Sequence, residues 1–198
     1  MNPHSDSIRI AVVIGSVRPD NYTSKAVALV VDEIRKHPEI TLDLIDPAQL
    51  NLPLPGTDGA ASDAKGLQER VAQATGVILS TPEYHGGYSS VIKLVIENLG
   101  FPSALAGKPV ALLGVAAGQI GAIKSLEYLR GVCSHVGAIV LPGPVSVAKV
   151  RDAFDEAGRV RDERVEQRIR GVAMNLIDYI RSAICPGVAL EAMVREGE

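Results

Sequence analysis

Short, nearly continuous apolar runs recur along the chain and predict the strands of a buried parallel sheet. The first, residues 8–14, is rich in β-branched residues, as expected of a strand covered on both faces. Residues 41–46 alternate apolar with polar side chains, which predicts a more exposed strand at the edge of the sheet. Three further apolar runs complete the predicted sheet: residues 76–80, 110–115 and 137–141.

Between these runs, apolar residues at helical spacing predict five helices. In the first, residues 24–36, Ala26, Val30 and Ile34 share one face, and Pro38 marks the end of the helix. Strands that alternate with helices predict an α/β fold in which helices cover both faces of a five-stranded parallel sheet. The remaining helices are predicted over residues 63–74, 91–100, 122–136 and 162–181.

The chain shows no internal repeat or interdomain linker, which predicts a single domain over residues 1–198 with a core from about 8 to 181. The polar residues 2–7 are predicted to be disordered, and the termini as a whole to be flexible. The tail after Pro186 could form a short helix or an arm bound to a partner. Two long loops are predicted, residues 50–63 and 145–158, and long loops often border sites.

Three turns would meet at one edge of this sheet. They follow the first, third and fourth strands, at residues 15–24, 81–88 and 116–121. Ligands of open α/β sheets bind outside the carboxyl ends of the strands, at the point where the strand order reverses. The sequence therefore predicts a ligand site formed by these three turns.

Composition excludes several classes of function. The net charge is −3 without a basic tract, and aromatic residues make up 4% with no Trp, which argues against a nucleic-acid-binding surface. No apolar run approaches the ~20 residues that span a bilayer, and no signal peptide opens the chain, so we expect a cytoplasmic protein. The histidines are scattered, which predicts no metal site, and Cys133 is expected to be a small buried residue.

The turn at residues 15–24 combines hydroxyl groups with one cation at the start of a helix. A helix N-terminus offers free N–H groups, Ser16, Thr23 and Ser24 would add hydroxyl donors, and Arg18 would add a fixed charge. This set suits a phosphomonoester, although the same Ser and Thr residues could simply cap the helix. The turn is neither a Walker loop nor a dinucleotide fingerprint, because it holds a single glycine and no Gly-Lys-Ser/Thr triplet.

The turn at residues 81–88 is dense in special residues. Pro82 stiffens it, Gly86 and Gly87 allow close approach or positive φ, and Tyr84 and Tyr88 offer flat faces. We interpret it as a platform for a flat heterocycle, with a tight strand-to-helix connection as the alternative. A hydrolase site with His85 and Glu83 as acid–base groups has weak support, because no nucleophile elbow surrounds the nearby serines.

Four motifs carry a resemblance to a known family. They are Gly15-Ser16-Val17-Arg18-Pro19, Leu52-Pro53-Leu54-Pro55, Thr81-Pro82-Glu83-Tyr84-His85-Gly86 and Val91-Ile92-Lys93-Leu94. Together they resemble the NAD(P)H-dependent FMN reductases, which have a flavodoxin-like, three-layer fold and include quinone, chromate and azo-dye reductases. The resemblance covers about residues 8–181, and the Pro-Glu-Tyr-x-Gly motif is its most specific part. His85 stands where the family usually has Asn, which leaves the choice of substrate open.

The resemblance implies FMN as cofactor and NADPH or NADH as co-substrate, with hydride passing through the flavin N5 to a small-molecule acceptor. No side chain is then required as acid or base, and a backbone N–H of Glu83 or His85 would face N5. It also implies a homodimer or homotetramer. A flavodoxin-like electron carrier, without turnover of pyridine nucleotides, is the alternative. The implied FMN contacts are Ser16, Arg18, Asn21, Tyr22, Thr23 and Ser24 at the phosphate, Pro82, Glu83, Tyr84, His85 and Gly86 under the isoalloxazine, and Ala117, Gly118 and Gln119 beside the ring.

Overall fold

A parallel sheet forms the centre of the protein. The computed structural model describes residues 8–57 and 62–186. The strand order is β2-β1-β3-β4-β5, and β6 also pairs with β4. The strands are β1 Arg9–Val13, β2 Thr41–Ile45, β3 Gly76–Pro82, β4 Pro109–Val115, β5 Ile139–Val140 and β6 Val145–Val147.

Helices cover both faces of this sheet, which confirms the predicted α/β sandwich. Alternate residues of β1 face opposite ways, so that Ile10 and Val12 join the core beneath α1 and α6, whereas Ala11 and Val13 join the core beneath α2, α3 and α4. Every residue of β3 and β4 is buried. The helices are α1 Tyr22–Arg35, α2 Ala64–Gln73, α3 Ser90–Glu97, α4 Ile123–His135, α5 Val150–Ala153 and α6 Glu163–Tyr179, which continues as a π-helix over Ile180–Ile184.

The edge next to β4 differs from the prediction of one strand over residues 137–141 followed by a long loop. β5 has only two residues, and the chain leaves the sheet at Pro142, Gly143 and Pro144 before β6 returns to it. Prolines lack the N–H that a ladder requires, and Gly143 has φ +77°, so this segment cannot continue β5. β6 then pairs with the carboxyl-terminal half of β4, from Leu113 to Val115.

Several predictions fall outside the part of the chain that the structure describes. These are the disorder predicted for residues 2–7, the part of the predicted long loop at residues 58–61 and the alternatives for the tail from residue 187 onward. The prediction of an exposed edge strand is confirmed, because β2 lies at the end of the sheet and Leu44 is exposed. Within residues 8–57 and 62–186, no helix combines the length and the apolar character needed to cross a membrane.

Candidate functional site

The predicted site edge lies where β1, β3 and β4 end side by side. The chain runs outward from β1 to β2 on one side and from β3 to β4 on the other, so the strand order reverses between β1 and β3. We call the connections that follow β1, β3 and β4 the first loop (residues 14–21), the second loop (83–89) and the third loop (116–122). Each begins at the same edge of the sheet, as the sequence predicts.

Gly15 brings the first loop against the end of β3. A Cβ atom at this position would lie 1.9 Å from the carbonyl oxygen of Ser80 and 3.0 Å from the Cα atom of Thr81. Both neighbours are backbone atoms, which cannot rotate away as a flexible side chain could. Glycine is therefore required here for a close approach of two backbones rather than for positive φ.

Asn21 caps α1, whereas the capping alternative gave this role to the Ser and Thr residues of the first turn. Its Oδ1 accepts hydrogen bonds from the Ser24 N–H at 2.7 Å and from the Ser24 hydroxyl at 3.1 Å, and its Nδ2 donates to the Arg18 carbonyl at 2.7 Å. Asn is among the residues preferred at this position, because its side chain satisfies an otherwise free N–H group. Asn21 and Ser24 thus use their polar groups locally.

Other donors at the start of α1 are not used. Among the described residues, the N–H groups of Tyr22 and Thr23 have no acceptor. Thr23 is 1% exposed, and its Oγ1 is buried with no hydrogen-bond partner in the described part of the chain. Buried polar atoms are nearly always satisfied in proteins, so an orphan hydroxyl beside free N–H groups indicates a binding site for a ligand rich in acceptors.

Arg18 supplies the charge at this end of the site. Its guanidinium lies 4.6 Å from the centroid of the Tyr84 ring, a cation–π contact between the first and second loops. No carboxylate within residues 8–57 and 62–186 forms an ion pair with Arg18. Ser16, which is 4% exposed, accepts the Arg18 N–H at 3.4 Å. The charge of Arg18 is therefore available to an anion.

The second loop is a tight two-residue turn. Tyr84 and Gly87 exchange backbone hydrogen bonds of 2.9 and 3.0 Å, and the residues between them, His85 and Gly86, have φ values of 52° and 78°. Two successive residues with positive φ define a type I′ turn. His85 tolerates the left-handed region better than most side chains, although less well than glycine or asparagine. Its imidazole is exposed at the tip of the turn.

The third loop is supported by the segment around β6. The Ala116 N–H donates to the Val147 carbonyl at 2.9 Å, and the Lys149 N–H donates to the Gly118 carbonyl at 3.0 Å. Ala117, Gly118 and Gln119 are exposed, at the edge of the sheet where the first and second loops also begin. Residues 145–149, predicted only as part of a long excursion, are therefore what holds this loop in place.

Comparison with known proteins identifies the family. A sequence model described as NADPH-dependent FMN reductase matches residues 8–152. The chain belongs to the NADPH-dependent FMN reductase family. It is therefore an oxidoreductase of an FMN-dependent family, as the four motifs indicate.

Individual relatives agree with this assignment. An NAD(P)H-dependent FMN reductase of Pseudomonas aeruginosa is 27% identical over 89% of this chain and 97% of its own length. A 2-hydroxy-1,4-benzoquinone reductase of Burkholderia sp. is 29% identical over 79% of this chain and 87% of its own length. The solved structure of a flavoenzyme NAD(P)H:(acceptor) oxidoreductase from Paracoccus denitrificans superposes with a TM-score of 0.72, at 24% identity, over 88% of this chain and 97% of that chain. That likeness confirms the flavodoxin-like fold.

An FMN reductase needs a phosphate cradle and a ring platform, and the three loops fit both requirements. The free N–H groups of Tyr22 and Thr23, the Thr23 hydroxyl and Arg18 are the donors a phosphate requires. Of the two backbone N–H groups expected to face the flavin N5, those of Glu83 or His85, the Glu83 N–H donates to the Val115 carbonyl at 2.8 Å, which leaves His85. The N–H groups of His85 and Gly86 have no acceptor in the described part of the chain.

Other chemistries find little support in this site. The hydroxyls of Ser80 and Ser89 both donate to backbone carbonyls, so neither is placed as a hydrolase nucleophile. The described residues contain no group of three or more His, Cys, Asp or Glu side chains that could hold a metal ion. Cys133 is fully buried, as predicted, and burial raises the pKa of its thiol to about 12, which makes it unreactive near neutral pH.

Proposed function

We propose that the protein binds FMN across the three loops and uses it to reduce a small acceptor, such as a quinone or a free flavin, with NADPH or NADH as donor. When bound, FMN supplies the hydride-transfer chemistry, and the protein supplies binding and orientation. The observation that carries this proposal is the orphan Thr23 hydroxyl, buried beside the free N–H groups of α1 and on the same edge as the type I′ turn.

Each loop has a separate part in holding the cofactor. Ser16, Arg18, Tyr22 and Thr23 would hold the phosphate, while Asn21 and Ser24 would shape the start of α1 through the cap that joins them. Pro82, Glu83, Tyr84, His85 and Gly86 would form the ring platform, with the free N–H groups of His85 and Gly86 as donors. Ala117, Gly118 and Gln119 would border the ring from the other side.

The identity of the acceptor is open to a direct experiment. Apoprotein reconstituted with FMN is expected to oxidise NADPH or NADH in the presence of a quinone or free flavin, and the rate should depend on added FMN. Steady-state rates with both donors across quinones, flavins, azo dyes and metal oxyanions would identify the preferred pair. FMN binding without turnover of any acceptor would favour the electron-carrier alternative, which the modest net charge of −3 does not suggest.

We also propose that the protein is a homodimer or homotetramer. Two large apolar side chains are exposed near the carboxyl end of α3, Leu54 at 64% and Phe101 at 103%. The Asn98 side chain donates to the Pro53 carbonyl at 3.0 Å, so the long loop is attached to α3 at this place. Light scattering is expected to give a mass of two or four 20.9 kDa chains, and a monomer at micromolar concentration would contradict the proposal.

A further inference from the structure

Two buried serines connect the first loop to β3 and to the end of the second loop. The Ser80 hydroxyl donates to the Val13 carbonyl at 2.7 Å and accepts the Gly15 N–H at 3.2 Å. The Ser89 hydroxyl donates to the Gly15 carbonyl at 2.6 Å. Both backbone groups of Gly15 are therefore bound by hydroxyls, one from β3 and one from the end of the second loop. We call Ser80 and Ser89 together the hydroxyl clamp.

Ser89 is itself held in place by hydrogen bonds to α3 and to β3. The Ser89 hydroxyl accepts the Ile92 N–H at 3.1 Å and so caps α3, while the Ser89 N–H donates to the Thr81 hydroxyl at 3.0 Å. Ser80, Thr81 and Ser89 are exposed by 0%, 0% and 2%. Water has no access to replace a lost hydroxyl, so removing one would leave a buried backbone group of Gly15 unsatisfied.

We propose that Ser80 and Ser89 are positioning residues that hold the phosphate cradle and the ring platform in one fixed relation. This inference rests on the proposed FMN site, but neither serine needs to contact the cofactor. A ligand that spans both loops gains from their fixed spacing, because the cost of ordering one loop relative to the other is already met in the free protein. A ligand held by the ring platform alone gains much less.

FMN and riboflavin separate these two cases, since riboflavin lacks the phosphate. Without the clamp, the first loop can shift relative to the second, and the phosphate and the ring no longer reach their donors together. Ser89→Ala is therefore expected to weaken FMN binding about tenfold and riboflavin binding by no more than about threefold. A purely structural role for Ser89 would weaken the binding of both flavins by the same factor.

The experiment measures the dissociation constants of both flavins by fluorescence quenching, together with thermal stability. Thr75→Val is the matched control, because the Thr75 hydroxyl also accepts a backbone N–H, that of Arg9 at 3.1 Å, but it lies where β1 and β3 begin, at the opposite edge of the sheet from the three loops. The control should leave the ratio of FMN to riboflavin affinity unchanged. Ser89→Thr, which keeps the hydroxyl, should restore that ratio, and Ser80→Ala should lower it if Ser89→Ala does not fold.

A double-mutant cycle with Arg18→Ala gives a second readout. If the clamp acts by placing the phosphate cradle, Ser89→Ala should reduce FMN affinity by a several-fold smaller factor in the Arg18→Ala background than in the wild type. Equal losses for the two flavins, or fully additive losses in the cycle, would overturn the inference. Wild-type protein that binds neither flavin would overturn the proposed function and this inference together, whereas FMN binding equal in wild type and Ser89→Ala would overturn the inference alone.

Discussion

Replacing Gly15 with alanine is expected to abolish FMN binding and to lower the free energy of unfolding by about 3 kcal/mol or more. The new methyl group would lie 1.9 Å from the Ser80 carbonyl oxygen and 2.9 Å from its carbonyl carbon, both of them backbone atoms in the central strand β3. Relief requires the first loop to move away from β3, which breaks the hydrogen bonds of Gly15 to Ser80 and Ser89. Chemical denaturation and FMN fluorescence quenching would measure the two effects.

Gly131→Ala is the control for this substitution. Gly131 lies within α4, and a Cβ atom there would have no neighbour within 4 Å. Because alanine favours the helix over glycine, this variant should gain about 0.5–1 kcal/mol and bind FMN normally. A Gly15→Ala protein with wild-type stability and FMN affinity would show that the first loop does not pack against β3 as described.

The second large effect is expected at Arg18. Arg18→Ala should weaken FMN binding by about 1.5–3 kcal/mol, or roughly 10- to 150-fold, which is the range for hydrogen bonds to charged groups. The guanidinium lies over the Tyr84 ring and has no ion-pair partner among the described residues. Removing it therefore breaks no ion pair within the protein, and the phosphate is the charged group that would lose its partner. Riboflavin binding should change little. Titration of both flavins by fluorescence quenching makes the comparison.

Two further variants test the specificity of this effect. Arg18→Lys should fall between wild type and Arg18→Ala, because lysine keeps the charge but loses the forked donors that match a phosphate. Arg164→Ala removes an exposed arginine at the start of α6 and should leave FMN affinity unchanged. Unchanged FMN affinity in Arg18→Ala would refute the assignment of the phosphate end.

Much of the fold could be predicted from local sequence, because strands buried on both faces are continuous apolar runs. β1, β3 and β4 are of this kind, and the three loops follow from where they end. β6 could not be predicted in the same way. Its three residues, Val145–Val147, follow two prolines, and only pairing with β4 makes them a strand. Its role in supporting the third loop is therefore a tertiary property.

The polar contacts of the site show the same limit. The cap by Asn21 spans only three residues, but we expected Ser or Thr to cap the helix and Asn21 to contact the phosphate. The bonds from Ser80 and Ser89 to the first loop join residues 65 to 74 positions apart, and no local pattern reveals them. Sequence alone also could not choose between the N–H groups of Glu83 and His85, because the Glu83 N–H is used by β4 only where β3 continues through Thr81 and Pro82 beyond its apolar run.

Anaerobic stopped-flow absorbance can show whether a pyridine nucleotide reduces the bound flavin. Protein reconstituted with FMN should lose its yellow colour when mixed with NADPH or NADH, at a rate that rises with donor concentration, and regain it when a quinone is added. Absence of bleaching with either donor, in protein shown to hold FMN, would contradict the reductase function.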